Sequence, residues 1–192
     1  MLLMTLRGTP TLYYGDEIGM QQATIQPEQV RDPFEKNVPG IGIGRDGCRT
    51  PMQWDGTKSA GFSDADPWLP VADNFRDENV DSFRRDKGSL YWLYRRLINL
   101  RRKHVALAQG SYQPLMASGD LLLFCRELRD ERVLIALNTG PEPIAASFSD
   151  EKLSGRVLLS SFADRDGEEV RASIDLRGNE GLLVQVDSKD AE

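Results

Sequence analysis

The sequence predicts two fold classes in series, an α/β segment over residues 1–107 and an all-β module over 108–192. Three observations predict this. The first residues run as helix, short aromatic strand and acidic turn, the order of a parallel α/β unit. One strongly amphipathic helix then follows a long stretch with no sustained period. Beyond Gly110 the pattern changes to short apolar runs separated by turn residues.

Met1-Leu2-Leu3-Met4-Thr5-Leu6 is apolar, lacks the basic lead and small-residue cleavage site of a signal peptide, and reads as the middle of a helix. Gly8-Thr9-Pro10 breaks it. Thr11-Leu12-Tyr13-Tyr14 is aromatic and β-prone and stops at Gly15, as expected of a strand buried on both faces. Asp16 and Glu17 open the turn after it. In a parallel α/β unit that turn is where function gathers.

From about Gln21 to Gly88 glycine, proline, asparagine and aspartate recur without period, so this segment reads as one very long irregular loop. Phe34, Trp54, Phe62, Trp68, Phe75 and Phe83 punctuate it, which predicts an ordered excursion pinned by its aromatics. Ser89 is placed to cap the next helix. Its apolar positions Leu90, Leu93, Tyr94, Leu97 and Leu100 keep three-and-four spacing. That helix closes on Arg101-Arg102-Lys103-His104, where positive charge complements the carbonyl end of the dipole. Strands are predicted at Leu121–Cys125, Val133–Leu137, Val157–Leu159 and Leu182–Val186, with turns at Ser118-Gly119-Asp120, Arg129-Asp130-Glu131, Thr139-Gly140-Pro141, Asp166-Gly167 and Gly178-Asn179. This is the signature of a sandwich-type module. The polar tail Ser188–Glu192 is expected to fray.

Composition narrows the function classes. The 192 residues are 40% hydrophobic and 28% charged, enough to bury a core in one or two domains. Twenty-four basic against 30 acidic residues leave a net charge of -6, which disfavours nonspecific nucleic-acid binding. No apolar run approaches the roughly 20 residues that span a bilayer, so no membrane partner is expected. Cys48 and Cys125 suggest no disulfide framework, and a cytoplasmic, reducing setting is expected. The single histidine, His104, leaves no multi-histidine metal site and no triad needing a second imidazole. It reads as a structural residue at the helix end. No metal site and no cofactor are expected.

Most recognition chemistry lies in Arg45-Asp46-Gly47-Cys48-Arg49-Thr50-Pro51-Met52-Gln53-Trp54-Asp55. Two arginines flank an aspartate, a proline stiffens the backbone, and a tryptophan offers a flat apolar face of the kind that stacks on a pyranose. Trp54 is read chiefly as a packing anchor, with the sugar platform as the alternative. Tyr13, Tyr14, Asp16 and Glu17 are likewise read as structural. Adjacent carboxylates such as Asp16 and Glu17 rarely aim at one reacting atom.

These residues resemble the alpha-amylase superfamily, and within it the alpha-glucosidase and oligo-1,6-glucosidase branch of glycoside hydrolase family 13. The Arg-Asp-x-x-Arg-Thr-Pro-Met-Gln-Trp-Asp motif carries the likeness, together with Gly8-Thr9-Pro10, Tyr13 through Met20, Ala60-Gly61-Phe62-Ser63, Pro67-Trp68-Leu69-Pro70-Val71, Asn79-Val80 and Tyr94-Arg95-Arg96-Leu97. It implies the last strand and helix of a TIM-type (β/α)8 barrel with a substrate loop over about 21–88, followed by a C-terminal antiparallel β-sandwich. It also implies that Arg45 contacts the nonreducing-end glucose and pairs with an aspartate from an earlier loop. Arg49 is the second substrate-binding candidate, read mainly as positioning the loop.

Retaining glycoside hydrolysis needs two carboxyl groups about 5 Å apart. The family's Gly-x-Arg-x-Asp nucleophile pattern, its Asn-His-Asp pattern and its general-acid strand have no match here, and a complete barrel takes roughly 250 residues. No catalytic residue is therefore assigned. The chain is expected to be the C-terminal fragment of a retaining alpha-glucosidase acting on short alpha-linked gluco-oligosaccharides, inactive alone, with an exposed barrel edge that drives self-association. The alternative is a noncatalytic carbohydrate-binding, stabilising or interaction module. Trehalose-forming and sucrose-isomerising enzymes are the alternatives within the enzyme class.

Overall fold

A computed structural model describes residues 1–147 and 154–187; the tail expected to fray, 188–192, lies outside them. The chain divides into two compact units, residues 12–92 and residues 1–11 with those from Leu93 onward. The first residues and the long helix from Leu93 join the sheet-containing unit because they pack on the sheet.

In the sheet-containing unit, α1 (Leu2–Thr5), α4 (Leu90–Lys103, from Leu93 onward) and α5 (Val105–Gln109) cover one face of an antiparallel sheet. Its strands are β1 (Ser111–Ser118), β2 (Leu121–Leu128), β3 (Glu131–Asn138), β4 (Ile144–Ser147), β5 (Ser154–Ser160), β6 (Glu169–Arg171), β7 (Ser173–Leu176) and β8 (Gly181–Val186). The period of two is clear in β2, β3 and β8. Leu123, Leu134 and Val184 face one core, whereas Phe124, Ile135 and Leu183 face the other with Met4, Leu97 and Leu107. Both faces are buried, which is why these strands read as unbroken apolar runs. β1 is exposed throughout and carries Pro114 beside a register shift, a protected edge.

Where a sandwich is expected, the described strands form one ladder. All eight strands are hydrogen-bonded in the order β1-β2-β3-β8-β5-β6-β7-β4. A register shift in β5 between Val157 and Leu159 and the three-residue β6 let the ladder turn. Ala146, Val170, Ile174 and Leu176 from the turned end then share a core with Leu123, Leu134 and Val184.

Two polar devices lock this unit. Arg126, fully buried, donates from Nη1 to the Thr5 carbonyl (2.6 Å), from Nη2 to Gly110 (2.9 Å) and from Nε to Ser111 (3.0 Å), tying α1 to the sheet. Glu180, also buried, accepts from Ser160 Oγ (3.0 Å), Arg165 Nη1 (3.1 Å) and the Arg177 N–H (2.9 Å) and Nη2 (2.6 Å). His104 lies between α4 and α5 with Nδ1 2.6 Å from Glu131 Oε1, and Glu131 Oε2 accepts the Ala106 N–H at 2.9 Å.

The other unit, residues 12–92, corrects three expectations. Thr11–Tyr14 forms no strand; Leu12, Tyr13 and Tyr14 are exposed. A buried parallel strand needs ladder partners for its N–H and C=O groups, and none of the described strands pairs with this run. Asp16 and Glu17 instead close their own turn, accepting the N–H groups of Tyr13 (3.0 Å) and Gly15 (2.9 Å).

The segment 21–88 is not wholly irregular. It holds α2 (Pro33–Asn37) and α3 (Val80–Arg85), each with a side-chain cap, from Asp32 and Asn79. Four of its six aromatics do not pin it, since Phe34, Trp54, Phe62 and Trp68 are all about half exposed or more, whereas Phe75 and Phe83 are partly buried. The order comes from smaller buried residues such as Met52, Ala60, Leu69 and Ala72, and from carboxylate and amide side chains that satisfy loop backbone. Buried Gln53 does so from Nε2, donating to Glu78 O at 2.7 Å and to Asn74 Oδ1 at 3.1 Å. At the helix boundary, Ser89 donates its hydroxyl to the Phe83 carbonyl (2.7 Å).

Candidate functional site

Two Arg-Asp pairs, Arg31-Asp32 and Arg45-Asp46, face each other and exchange hydrogen bonds. Asp46 Oδ2 accepts the backbone N–H groups of Arg31 (2.5 Å) and Asp32 (2.7 Å). Asp32 returns the contact. Its Oδ2 accepts the Arg45 N–H and Nε, both at 2.8 Å, its Oδ1 accepts Arg45 Nη2 at 3.0 Å, and Oδ1 also caps α2 through the Phe34 N–H at 3.0 Å. This is a bidentate pair with a carboxylate that is wholly shielded from solvent. The Arg45 guanidinium, with the Phe34 N–H, holds the Asp32 carboxyl far below the ordinary aspartate range, and Asp32 raises Arg45 in turn.

Arg45 keeps 47% of its side chain exposed, and its guanidinium carbon sits 5.4 Å from the centre of the Phe34 ring. Nε and Nη2 are taken by Asp32, whereas Nη1 makes no hydrogen bond among the described residues. The fork is therefore immobilised on one edge and open on the other. Close backbone contact is built in beside it: a Cβ on Gly47 would lie 2.6 Å from Gln22 Cγ and 2.9 Å from the Ala23 carbonyl oxygen. A cavity of about 630 Å³ adjoins the clamp, lined among others by Gln22, Ile25, Val30, Glu35 and Asp46.

Downstream, the motif is fixed from two sides. The first N–H groups of α3 donate to the carbonyls of Gln53 (2.9 Å) and Trp54 (3.0 Å). From the other side the Ala60 carbonyl accepts the N–H groups of Trp54 (2.9 Å) and Asp55 (3.2 Å). Presenting that carbonyl requires left-handed backbone at Ser59, Ala60 and Gly61 (φ 53, 55 and 65). Thr57 caps the turn by donating its hydroxyl (2.5 Å) and N–H (2.8 Å) to Asp55, whose carboxyl is lowered as a result.

A second cavity, of about 340 Å³, opens beside this turn, with Arg49, Trp54, Phe62 and Trp68 among its walls. Tyr14 also lines it, donating its hydroxyl to the Thr50 carbonyl at 2.9 Å; burial, then Tyr13, raises the Tyr14 hydroxyl.

The structure separates the two arginines named from sequence. Arg45 pairs with Asp32 within the same loop. Arg49 makes no side-chain hydrogen bond or ion pair among the described residues and lines the aromatic cavity. Trp54, read as a packing anchor, is 50% exposed. Asp32 escaped the sequence reading, although an aspartate followed by proline is a helix-start signal and its Arg-Asp pair repeats that of Arg45-Asp46. Among the described residues no cluster of histidine, cysteine, aspartate and glutamate is suited to a metal ion.

Residues 1–110 match the alpha-amylase catalytic-domain family. The chain is 34% identical to a probable alpha-glucosidase of Rhizobium meliloti over 168 residues, covering 86% of this chain and 30% of that protein. It is 35% identical to an oligo-1,6-glucosidase of Halalkalibacterium halodurans, covering 71% of this chain and 28% of that protein. Among solved structures, the trehalulose synthase of Pseudomonas mesoacidophila superposes with a TM-score of 0.85 at 28% identity, covering 97% of this chain and 37% of the other. A mutant of that synthase in complex with its substrate sucrose superposes at 0.86. The chain spans about a third of the length of the curated relatives it matches. From the motif that builds the Arg45 clamp to the fold that carries it, the chain belongs to the alpha-amylase family.

Proposed function

We propose that this chain is the C-terminal part of a retaining, exo-acting alpha-glucosidase that releases glucose from short alpha-linked oligosaccharides. On this reading residues 1–107 complete a (β/α)8 barrel, the loop of about 21–88 faces substrate, and 108–192 form the sandwich-type C-terminal domain. The observation that carries it is the half-open Arg45 fork. A guanidinium locked on one edge by Asp32 and free at Nη1 offers preorganised donors to the hydroxyls of a terminal glucose, with little orientation left to lose on binding. Arg45 is the primary substrate contact and Arg49 the second.

The nucleophile and general-acid motifs of the family are missing from these 192 residues, so the chain alone turns over no glucoside. The purified chain is expected to release no chromophore from an aryl alpha-glucoside. Turnover that survives repurification overturns this. In the full-length enzyme, Arg45→Lys is expected to lower kcat/KM, and unchanged efficiency rules Arg45 out as a contact. The likeness to a trehalulose synthase favours one second reading, a sucrose-isomerising enzyme. Product analysis with sucrose separates the two, glucose plus fructose marking hydrolysis and an isomeric disaccharide marking isomerisation.

A further inference from the structure

The aromatic cavity beside Trp54 has the wall chemistry of a sugar subsite, and neither Asp32 nor Arg45 lines it. Trp54 is 50%, Phe62 49% and Trp68 71% exposed around this one concavity. Isolated exposed apolar side chains are ordinary, but three large aromatics converging on a hollow are not. Trp54 is held in that position by the left-handed turn at Ser59 and Ala60, backbone that non-glycine residues keep only when their surroundings impose it.

Unclaimed polar valence lines the same hollow. Thr50 is 1% exposed, yet its Oγ1 is buried with no hydrogen-bond partner. The Arg49 guanidinium has no hydrogen bond or ion pair among the described residues. Glu17 uses Oε2 on the Gly15 N–H at 2.9 Å and leaves its other oxygen without a bond among those residues. Unclaimed donors, one carboxylate acceptor and aromatic faces together match a pyranose, which presents a C–H face to stack and a rim of hydroxyls that both donate and accept. An apolar ligand would leave Thr50 and Arg49 unsatisfied, and an anion would meet Glu17. At about 340 Å³ the hollow lies at the small end of ligand sites and suits a mono- or disaccharide unit.

We infer that this cavity is a carbohydrate subsite separate from the Arg45 clamp, with a hexopyranose against Trp54 and Trp68 and its hydroxyls on Arg49, Glu17 and Thr50. That the hexose is an alpha-linked glucose unit rests on the proposed function; that a sugar binds does not.

Two of the three tryptophans line the cavity, so the 192-residue chain reports on itself. Titration with maltotriose or isomaltotriose is expected to change tryptophan fluorescence saturably, with a millimolar Kd, and the change persists in Trp92→Phe. Trp68→Ala, which removes a mostly exposed ring, and Arg49→Met, which keeps the aliphatic stem, are each expected to raise Kd about tenfold with unchanged circular dichroism. Absence of a saturable change, or a Kd the same in both variants as in the wild type, overturns the inference. If that occurs while Arg45→Lys still impairs the full-length glucosidase, only the subsite fails. If the chain binds sugar as expected and the full-length protein hydrolyses no alpha-glucoside, only the proposed function fails.

Discussion

Asp32 holds Arg45 three times over, through one backbone and two side-chain hydrogen bonds of 2.8–3.0 Å, while Asp46 holds the backbone of Asp32. The contact is reciprocal, so neither residue is placed without the other. In the substrate contact proposed for it, Arg45 gains from this, because its long side chain otherwise loses rotamer freedom on binding.

Asp32 is accordingly a positioning residue for Arg45. In the full-length glucosidase proposed above, Asp32→Asn is expected to lower kcat/KM by about a hundredfold, the cost of a misplaced contact. Its effect should largely vanish in an Arg45→Lys background, because both substitutions break the same fork. A double-mutant cycle on kcat/KM checks this, and strictly additive losses would sink it.

The turn at Gly61 sets Trp54. A Cβ there would lie 2.5 Å from Asp55 Oδ2, on backbone with φ +65. Gly61→Ala is expected to destabilise residues 12–92 by about 1–3 kcal/mol and to shift the tryptophan emission maximum. Unchanged emission and an unchanged urea midpoint would show that the turn does not govern Trp54.

Arg126 is the buried tie of the sheet unit, with three carbonyls depending on it. Arg126→Met fills similar volume but strands those acceptors, and is expected to cost about 2–4 kcal/mol. Urea unfolding followed by far-ultraviolet circular dichroism measures it; a midpoint within error of the wild type refutes the role.

Acid should loosen the same unit through Glu180. Burial pushes its carboxyl up, but Arg177, Ser160 and Arg165 outweigh this and leave it below the usual value of 4.5. Asp164 is lowered by Arg177, and Glu168 by Arg165. The unfolded chain therefore binds more protons than the folded one in the acid range. The stabilisation is complete above about pH 5 and is lost as pH falls through the lowered folded values. Glu180→Gln should cost about 3 kcal/mol at neutral pH and flatten stability against pH below 5. Parallel pH profiles for variant and wild type would contradict this account.

Much of the molecule is legible in the chain itself. The amphipathic spacing from Leu90 to Leu100 forms α4, the apolar runs at Leu121, Val133, Val157 and Leu182 all lie in strands, and the turn residues between them sit where the chain reverses. Such features depend on neighbours two to four residues away, so composition and period determine them. Arg45 and Arg49 stand in a short motif where two arginines flank an aspartate, which is legible without the fold.

Only the tertiary structure decided what depends on distant groups meeting. It joined Asp32 to Arg45 across thirteen positions, and it brought Arg49 to the cavity lined by Tyr14, Trp54 and Trp68. It joined the described strands into one ladder, and Thr11–Tyr14, β-prone by composition, found no ladder partner among them. A residue's type specifies which bonds it is able to make. Which partner completes them, and which faces stay open to a ligand, is set by the route of the chain through space.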